Sequence, residues 1–318
     1  MNEGMQSLID RLYITRELSV EEYVEIIRFR DKESAEYLAQ RACQVRDRQT
    51  EIQTEGWGVL SLSNYCRKDC YYCGIRRENR FLPRYRMEDE TILSCCQKGY
   101  AQGIRTVLWQ SGEDSFFTPE RVEQLLRQVQ TECPGMRIVL ALGERPRETA
   151  RRWKQAGAWG YILRHETADD SHYKKLHPAD MSLLRRKQIL WELKELGYCL
   201  GSGFQIGLPY QKMEHLAQDL VFLKQLQPQI LDVGVFLATR QTPFARQPSG
   251  REDLVWVILS ILRLLFPQAD MIVDQAVCAA DPGAAGKGIQ AGANITWNDL
   301  TPAEQGEKYH VFDGRRRM

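Results

Sequence analysis

The chain has 318 residues, and its 43 Lys and Arg stand against 42 Asp and Glu for a net charge of +1. That balance leaves no global field to draw nucleic acid or an anionic membrane surface, and neither is expected as a partner. Apolar residues make up 43% of the chain, enough for the core of one large domain.

The first ten residues carry Glu3 and Asp10 and lack a signal-peptide core. Residues 1–50 place Leu8, Leu12, Leu18, Tyr23, Ile26 and Ile27 at near-helical spacing among charged residues, and 33–48 continue with Ala and Leu. This predicts a helical N-terminal cap over residues 1–55. No Gly/Pro/Ser-rich linker follows it, so it should pack on the remainder, 56–318. From Gly56 onward short apolar runs alternate with amphipathic stretches. The runs are 58–62, 105–109, 137–142, 160–163, 201–208, 230–236, 271–277 and 293–297, and they read as strands buried on both faces. Between them, Thr118-Pro119-Glu120 is a helix start, with a cap residue, a first-turn proline and an acid. Gly103, Gly157 and Gly197 stand where left-handed C-caps belong. The longest apolar stretch, 254–266, contains Arg263 and falls short of the ~20 residues that a membrane-spanning helix needs. Arg315, Arg316 and Arg317 read as a solvated, frayed end.

Strands alternating with helices predict an α/β fold, a (β/α)8 TIM-type barrel with an N-terminal helical extension. A doubly wound open sheet is the alternative. In a barrel the functional residues should follow the strand ends on the C-terminal face.

The cysteines are Cys43, Cys66, Cys70, Cys73, Cys95, Cys96, Cys133, Cys199 and Cys278. Nine in a long chain without a secretion signal argue against a disulfide framework and for a cytoplasmic protein. After the first strand, Cys66, Cys70 and Cys73 are spaced C-x3-C-x2-C. One loop can wrap three such thiolates around a compact metal centre. Arg67, Lys68, Arg76 and Arg77 would favour the thiolates and offset a cluster's negative charge. Structural zinc usually takes four protein ligands, and no fourth Cys or His is near in sequence. Three ligands suit an iron–sulfur cubane with one open iron. Zinc and a chance group of core cysteines remain the alternatives. Cys43, Cys95, Cys96, Cys133 and Cys199 read as packing residues, and Cys278, after the seventh strand, reads as a packing residue with a place at the barrel mouth as the alternative.

The C-x3-C-x2-C motif, with Tyr72 before its last cysteine, resembles the radical S-adenosylmethionine (SAM) superfamily. That resemblance implies one [4Fe–4S] cluster on Cys66, Cys70 and Cys73, with SAM chelating the open iron. It implies reductive cleavage of SAM to a 5′-deoxyadenosyl radical, with electrons from a donor such as ferredoxin or flavodoxin. Cys70-Tyr71-Tyr72-Cys73-Gly74-Ile75-Arg76-Arg77, Gln110-Ser111-Gly112-Glu113-Asp114, Leu142-Gly143-Glu144, Arg164-His165-Glu166-Thr167 and Gly207-Leu208-Pro209 further resemble the HydE type of [FeFe]-hydrogenase maturase. The methylornithine and biotin synthases belong to the same group.

The resemblance carries SAM contacts to Tyr72, Gln110, Ser111, Gly112, Glu113, Arg164, Glu166, Arg186 and Ile206, with Arg185 the alternative to Arg186. The residues agree in chemical type. A carboxylate accepts from an ammonium group, and glycine allows close backbone approach. Strand alternation turns Arg164 and Glu166 to one face and His165 to the other. Each has a plainer reading: a strand-to-helix turn at 110–113, a solvated helix face at 185–186, a strand end at 206–209.

The substrate end departs from the HydE pattern. Val273-Asp274-Gln275-Ala276 replaces a Thr-Thr-Ala segment, and Ala238-Thr239-Arg240 stands where Pro-His is usual. Asp274, Gln275, Arg240 and Asn294 are expected to face a small polar substrate. The expected function is that of a HydE-like radical SAM enzyme serving hydrogenase maturation. The alternatives are a radical transformation of an amino-acid-like substrate and an iron–sulfur scaffold.

Overall fold

The computed structural model describes residues 1–49 and 53–313; the Arg315–Arg317 run lies outside them. The chain opens with helices α1 (Glu3–Thr15), α2 (Val20–Phe29) and α3 (Lys32–Asp47). Each starts at a side-chain cap. Asn2 accepts the Met5 N–H, and Ser19 with Glu22 and Asp31 with Ser34 form reciprocal capping boxes. Their apolar stripes, including Ile9, Leu12, Ile26, Ile27 and Leu38, join one buried cluster with the helices of the barrel wall described next.

The alternating part follows as β1 (Glu55–Ser63), α4 (Asp89–Ala101), β2 (Thr106–Ser111), α5 (Pro119–Glu132), β3 (Arg137–Ala141), α6 (Arg147–Gln155) and β4 (Ala158–Ile162). Then come α7 (Asp170–Leu176), α8 (Leu183–Glu195), β5 (Cys199–Ser202), β6 (Gln205–Ile206), α9 (Met213–Leu226), β7 (Ile230–Val235) and α10 (Glu252–Leu265). The chain ends with β8 (Asp270–Val273), α11 (Gln275–Ala280), α12 (Ala284–Gln290), β9 (Ile295–Asp299) and α13 (Ala303–Gly306). No described helix is long and apolar enough to cross a membrane.

All strand pairs are parallel. β1 pairs with β2 on one side and β9 on the other, and β5 pairs with β7. The ring therefore closes, and the open-sheet alternative is set aside. Trp57, Val59, Leu108, Val139, Ile162, Ile230, Ile272 and Ile295 form one cluster drawn from seven of the ring strands. A second cluster joins the strands to α4, α5, α6 and α8, and a third joins them to α9 and α10, on which α1–α3 lie.

The local expectations fare as follows. Thr118 accepts the Arg121 N–H ahead of Pro119, and Gly103, Gly157 and Gly197 have positive φ. The run 201–208 is not one strand. It breaks at Gly203, where a Cβ would lie 1.7 Å from the Asp232 carbonyl oxygen, and resumes as β6 paired only to β7. The run 271–277 is also cut short. Asp274 accepts the Ala276 N–H at 2.8 Å and starts α11.

Candidate active site

Residues 64–88 connect β1 to α4 with almost no regular structure, so side chains hold them. The Arg84 guanidinium donates to the carbonyls of Asn64, Ile75, Arg76 and Asn79. Asn64 donates to Pro83 and Lys308, and Asn79 to the Gly74 carbonyl. Asp69 pairs with Arg76 and accepts the Glu78 N–H. A loop with its carbonyls so fully satisfied is rigid enough to present side chains in fixed geometry.

The three cysteines of this loop carry free thiols. Cys70 and Cys73 line a cavity of about 260 Å³ at the C-terminal ends of the strands. The Cys66 Sγ lies 3.4 Å from the backbone nitrogens of Lys68 and Glu113. Burial first, then the neighbouring Cys66 thiol, pushes the Cys73 thiol up to about 12; burial also raises Cys66 and Cys70. Three thiolates here need positive charge beside them, which iron supplies. Among the described residues no three Cys, His, Asp or Glu side chains gather as one bound ion requires. The thiol donors on one braced loop fit a multi-iron cluster.

Tyr72 lines the same cavity. Its hydroxyl lies 3.2 Å from His177 Nε2, while His177 Nδ1 lies 3.0 Å from the Tyr173 carbonyl. Nδ1 must carry the proton to donate there, so Nε2 accepts from Tyr72. Burial lowers the His177 pKa to about 3, which keeps the ring neutral.

β2 ends in Gln110 and Ser111, which both line the cavity. Gln110 hydrogen-bonds Ser61 at 3.0 Å and reaches across to Gln275 at 3.3 Å. At Gly112 a Cβ would sit 2.2 Å from the Tyr65 carbonyl oxygen and 2.6 Å from the Cys66 Cβ. Only glycine lets this turn lie against the cysteine loop. Glu113 is buried behind Cys66, accepting from Arg67 and from the Glu144 N–H at 2.9 Å each.

β4 leads into Arg164-His165-Glu166. Arg164 and Glu166 pair at 3.0 Å and line the cavity. Glu166 has φ +67°, a left-handed conformation unusual for its type, and it accepts from Gln205 at 3.1 Å. His165 faces the other way, 3.1 Å from Ser202 and 3.3 Å from Asp219. Arg186 is the inward member of its pair, bonded to Glu144 at 2.7 Å and to the Arg164 carbonyl at 2.9 Å. Arg185 is exposed and paired with Glu192. Ile206 is buried in the cluster shared with α9 and α10 rather than on the cavity wall.

The far wall holds two of the four residues expected there. Asp274 and Gln275 line the cavity, and Arg164 lies 3.4 Å from Asp274. Arg240 instead lies exposed against Asp313. Asn294 is buried away from the cavity, bonded to Arg263 and the Met271 N–H. Cys278 packs with the outer cluster. Asp232 was missed: it lines the cavity 4.0 Å from Arg164, and burial raises its carboxyl to about 7.

Residues 60–223 match the model of the Radical SAM superfamily, a span that holds the cysteine loop, the β2 turn and the β4 terminus. The chain belongs to the radical SAM superfamily. It is 34% identical over 300 residues to the [FeFe] hydrogenase maturase subunit HydE of Thermotoga maritima, covering 94% of this chain and 85% of that one. It is 28% identical to 3-methylornithine synthase of Methanosarcina acetivorans, over 66% of this chain and 59% of that protein. The crystal structure of methylornithine synthase (PylB) superposes with a TM-score of 0.85 at 25% identity, covering 98% of this chain and 92% of that one. This radical SAM enzyme therefore uses a [4Fe–4S] cluster and SAM, as its relatives do.

Proposed function

We propose that Cys66, Cys70 and Cys73 hold the cluster and that SAM is held by Tyr72, Gln110, Ser111, Gly112, Glu113, Arg164, Glu166 and Arg186, in a cytoplasmic, HydE-like enzyme acting on a small polar molecule. Ile206 would act only indirectly, by shaping β6. When bound, the cluster and SAM together supply a 5′-deoxyadenosyl radical.

The protein's own residues bind and orient. Gly112 keeps the β2 turn against the cysteine loop, where Gln110 and Ser111 present amide and hydroxyl groups. Glu113 and Arg186 place opposite charges, each already braced by a partner, for the ammonium and carboxylate of the methionine moiety. Tyr72, fixed by His177, offers a flat face for a base. Arg164 and Glu166 stand between this region and the far wall. The supporting observation is that Cys70, Cys73, Tyr72, Gln110, Ser111, Arg164 and Glu166 share one cavity.

Likeness to HydE over most of both chains supports a place in [FeFe]-hydrogenase maturation. Asp232, Asp274 and Gln275 support the second reading, a radical transformation of an amino-acid-like substrate. Their charge and hydrogen-bonding capacity on the far wall suit a small molecule with polar ends.

The test is anaerobic cluster reconstitution, then reduction with dithionite in the presence of SAM, with 5′-deoxyadenosine measured by chromatography. Production is expected, and Cys70→Ala should abolish it. A brown, cluster-loaded protein that neither binds nor cleaves SAM would leave an iron–sulfur scaffold instead. Co-expression with hydrogenase-maturation partners separates the two substrate readings.

A further inference from the structure

Among the residues proposed to hold SAM, only Glu166 has a left-handed backbone. A side chain of its type stays in that conformation only where the surroundings hold it there. Its neighbours His165, Thr167 and Ala168 are each tied away from the cavity, and none of them lines it. The His165 and Glu166 N–H groups both donate to the Gly203 carbonyl, at 3.0 and 3.2 Å. His172 Nε2 lies 3.0 Å from the Pro209 carbonyl and so carries the ring proton, which leaves Nδ1 to accept from the Thr167 hydroxyl at 3.1 Å. The Ala168 N–H donates to Asp219 Oδ1 on α9 at 2.5 Å, and its carbonyl accepts from Lys187 on α8 at 2.9 Å.

His165 and Asp219 are both fully buried, with the imidazole ring packed against Phe204 and Phe222. The Ser202 hydroxyl gives its single proton to the Leu163 carbonyl at 3.0 Å. Its oxygen is therefore left to accept from His165 Nδ1 at 3.1 Å, which puts the ring proton on Nδ1. Nε2 then faces Asp219 at 3.3 Å with a lone pair. Against an ionised carboxylate this would be acceptor against acceptor, and His165 Nε2 and Asp219 Oδ2 are enclosed atoms without a hydrogen-bond partner. One more proton resolves the contact. It belongs on the acid. Burial lowers the His165 pKa to about 3, with Lys187, Arg186 and Arg164 lowering it and Glu166 opposing them. Burial raises Asp219 well above the usual carboxyl range, against the Ala168 N–H, His215 and Lys187.

We propose that Asp219 is a positioning residue for SAM: a protonated, neutral acid that donates to His165 Nε2, accepts the Ala168 N–H, and by gripping both sides of Glu166 keeps that carboxylate turned into the cavity. The inference rests on the reading that Glu166 holds SAM. A neutral pair suits the place. It lies directly behind Arg164 and Glu166, where a fixed charge would disturb their ion pair in a low-dielectric wall, and a satisfied network on rigid elements fixes the geometry of the side chains in front of it.

The experiment titrates cluster-loaded protein with SAM by anaerobic calorimetry. Asp219→Ala removes both contacts and should weaken the SAM Kd by about tenfold or more. Asp219→Asn keeps a donor for His165 and an acceptor for Ala168, and should bind SAM within about twofold of the parent from about pH 6.5 to 8.5. Two spectroscopic signatures report on the pair itself and stand even if Asp219→Ala fails to fold. The infrared difference between parent and Asp219→Asn should contain the stretch of a protonated carboxyl group. In protein labelled with ¹⁵N-histidine, the His165 ring should carry its one proton on Nδ1 throughout that pH range. A carboxylate band in the difference spectrum, or a His165 ring protonated on Nε2, would overturn the proposal. Parental SAM affinity in a folded Asp219→Ala, or an equal loss in Asp219→Asn, would overturn it as well. Parental SAM affinity in Glu166→Gln would remove the underlying reading, and the role of Asp219 with it, while leaving the infrared and ring signals unchanged, so the two failures are told apart.

Discussion

Asp232 is an acid within an otherwise apolar strand, and its environment sets how it titrates. Burial raises its carboxyl from 3.8 to about 7, with Asp274 and Glu166 adding to the rise and Arg164 opposing it. In the unfolded chain the same group ionises near the ordinary value. The folded state therefore holds the proton more tightly. Its contribution to stability is full below pH 3.8, is lost as the pH rises toward 7, and stays lost above that. Asp232→Asn removes this penalty. The variant should unfold at higher urea than the parent at pH 8, by on the order of 2 kcal/mol, and the gap should close toward pH 4. An equal gap at both pH values would show that folding does not raise the Asp232 carboxyl. At this scale the cysteine loop was legible because its ligands lie close together in sequence and no core segment is so rich in Arg and Lys. Arg164 and Glu166 were legible as polar residues closing an apolar run, a pattern that packing alone does not explain. Asp232 was not. Its strand reads as buried core, and only ring closure brings it near Arg164. Arg240 and Asn294 were misplaced for the complementary reason: near a strand end the next bend of the backbone decides where a side chain points, and alternation does not reveal it.

The strands were legible as apolar runs, but their ends depend on contacts with residues far along the chain. The fifth run breaks because Gly203 presses on the Asp232 backbone of β7. The break lets the next residue, Phe204, bridge to Glu166, so it shapes the wall that carries the Arg164–Glu166 pair. The run 271–277 ends early because Asp274 both caps α11 and faces Arg164. Neither partner is visible in the local pattern. Gly203→Ala places a methyl group where a backbone oxygen already lies. It should cost on the order of 3 kcal/mol, read as a lower urea midpoint, and should weaken SAM binding by displacing Phe204 and with it Glu166. A variant with parental stability and SAM affinity would mean that β5 can move outward without cost.

At the scale of the whole molecule, ring closure places the two ends of the barrel sequence beside each other, β1 against β9. The segment after α13 therefore falls onto the cysteine loop. The Gly74 N–H donates to the Val311 carbonyl at 2.8 Å, and Asn64 donates to the Lys308 carbonyl at 2.7 Å. Tyr309, Val311 and Phe312 form part of the cavity wall. No strand pairing passes through these residues, so the ring does not depend on them, whereas the cover over the cysteines does. Deleting everything after Lys308 should leave the circular dichroism of the barrel unchanged and lower the Tm by only a few degrees. The cluster, however, loses a wall that excludes water and dioxygen. Its visible absorbance should bleach in air several times faster than in the full chain, with iron lost in parallel, while Cys66, Cys70 and Cys73 remain in place to be reloaded. Bleaching at the parental rate would assign the protection to the braced loop alone. Collapse of the circular dichroism would show that the closing segment holds the ring as well as the site.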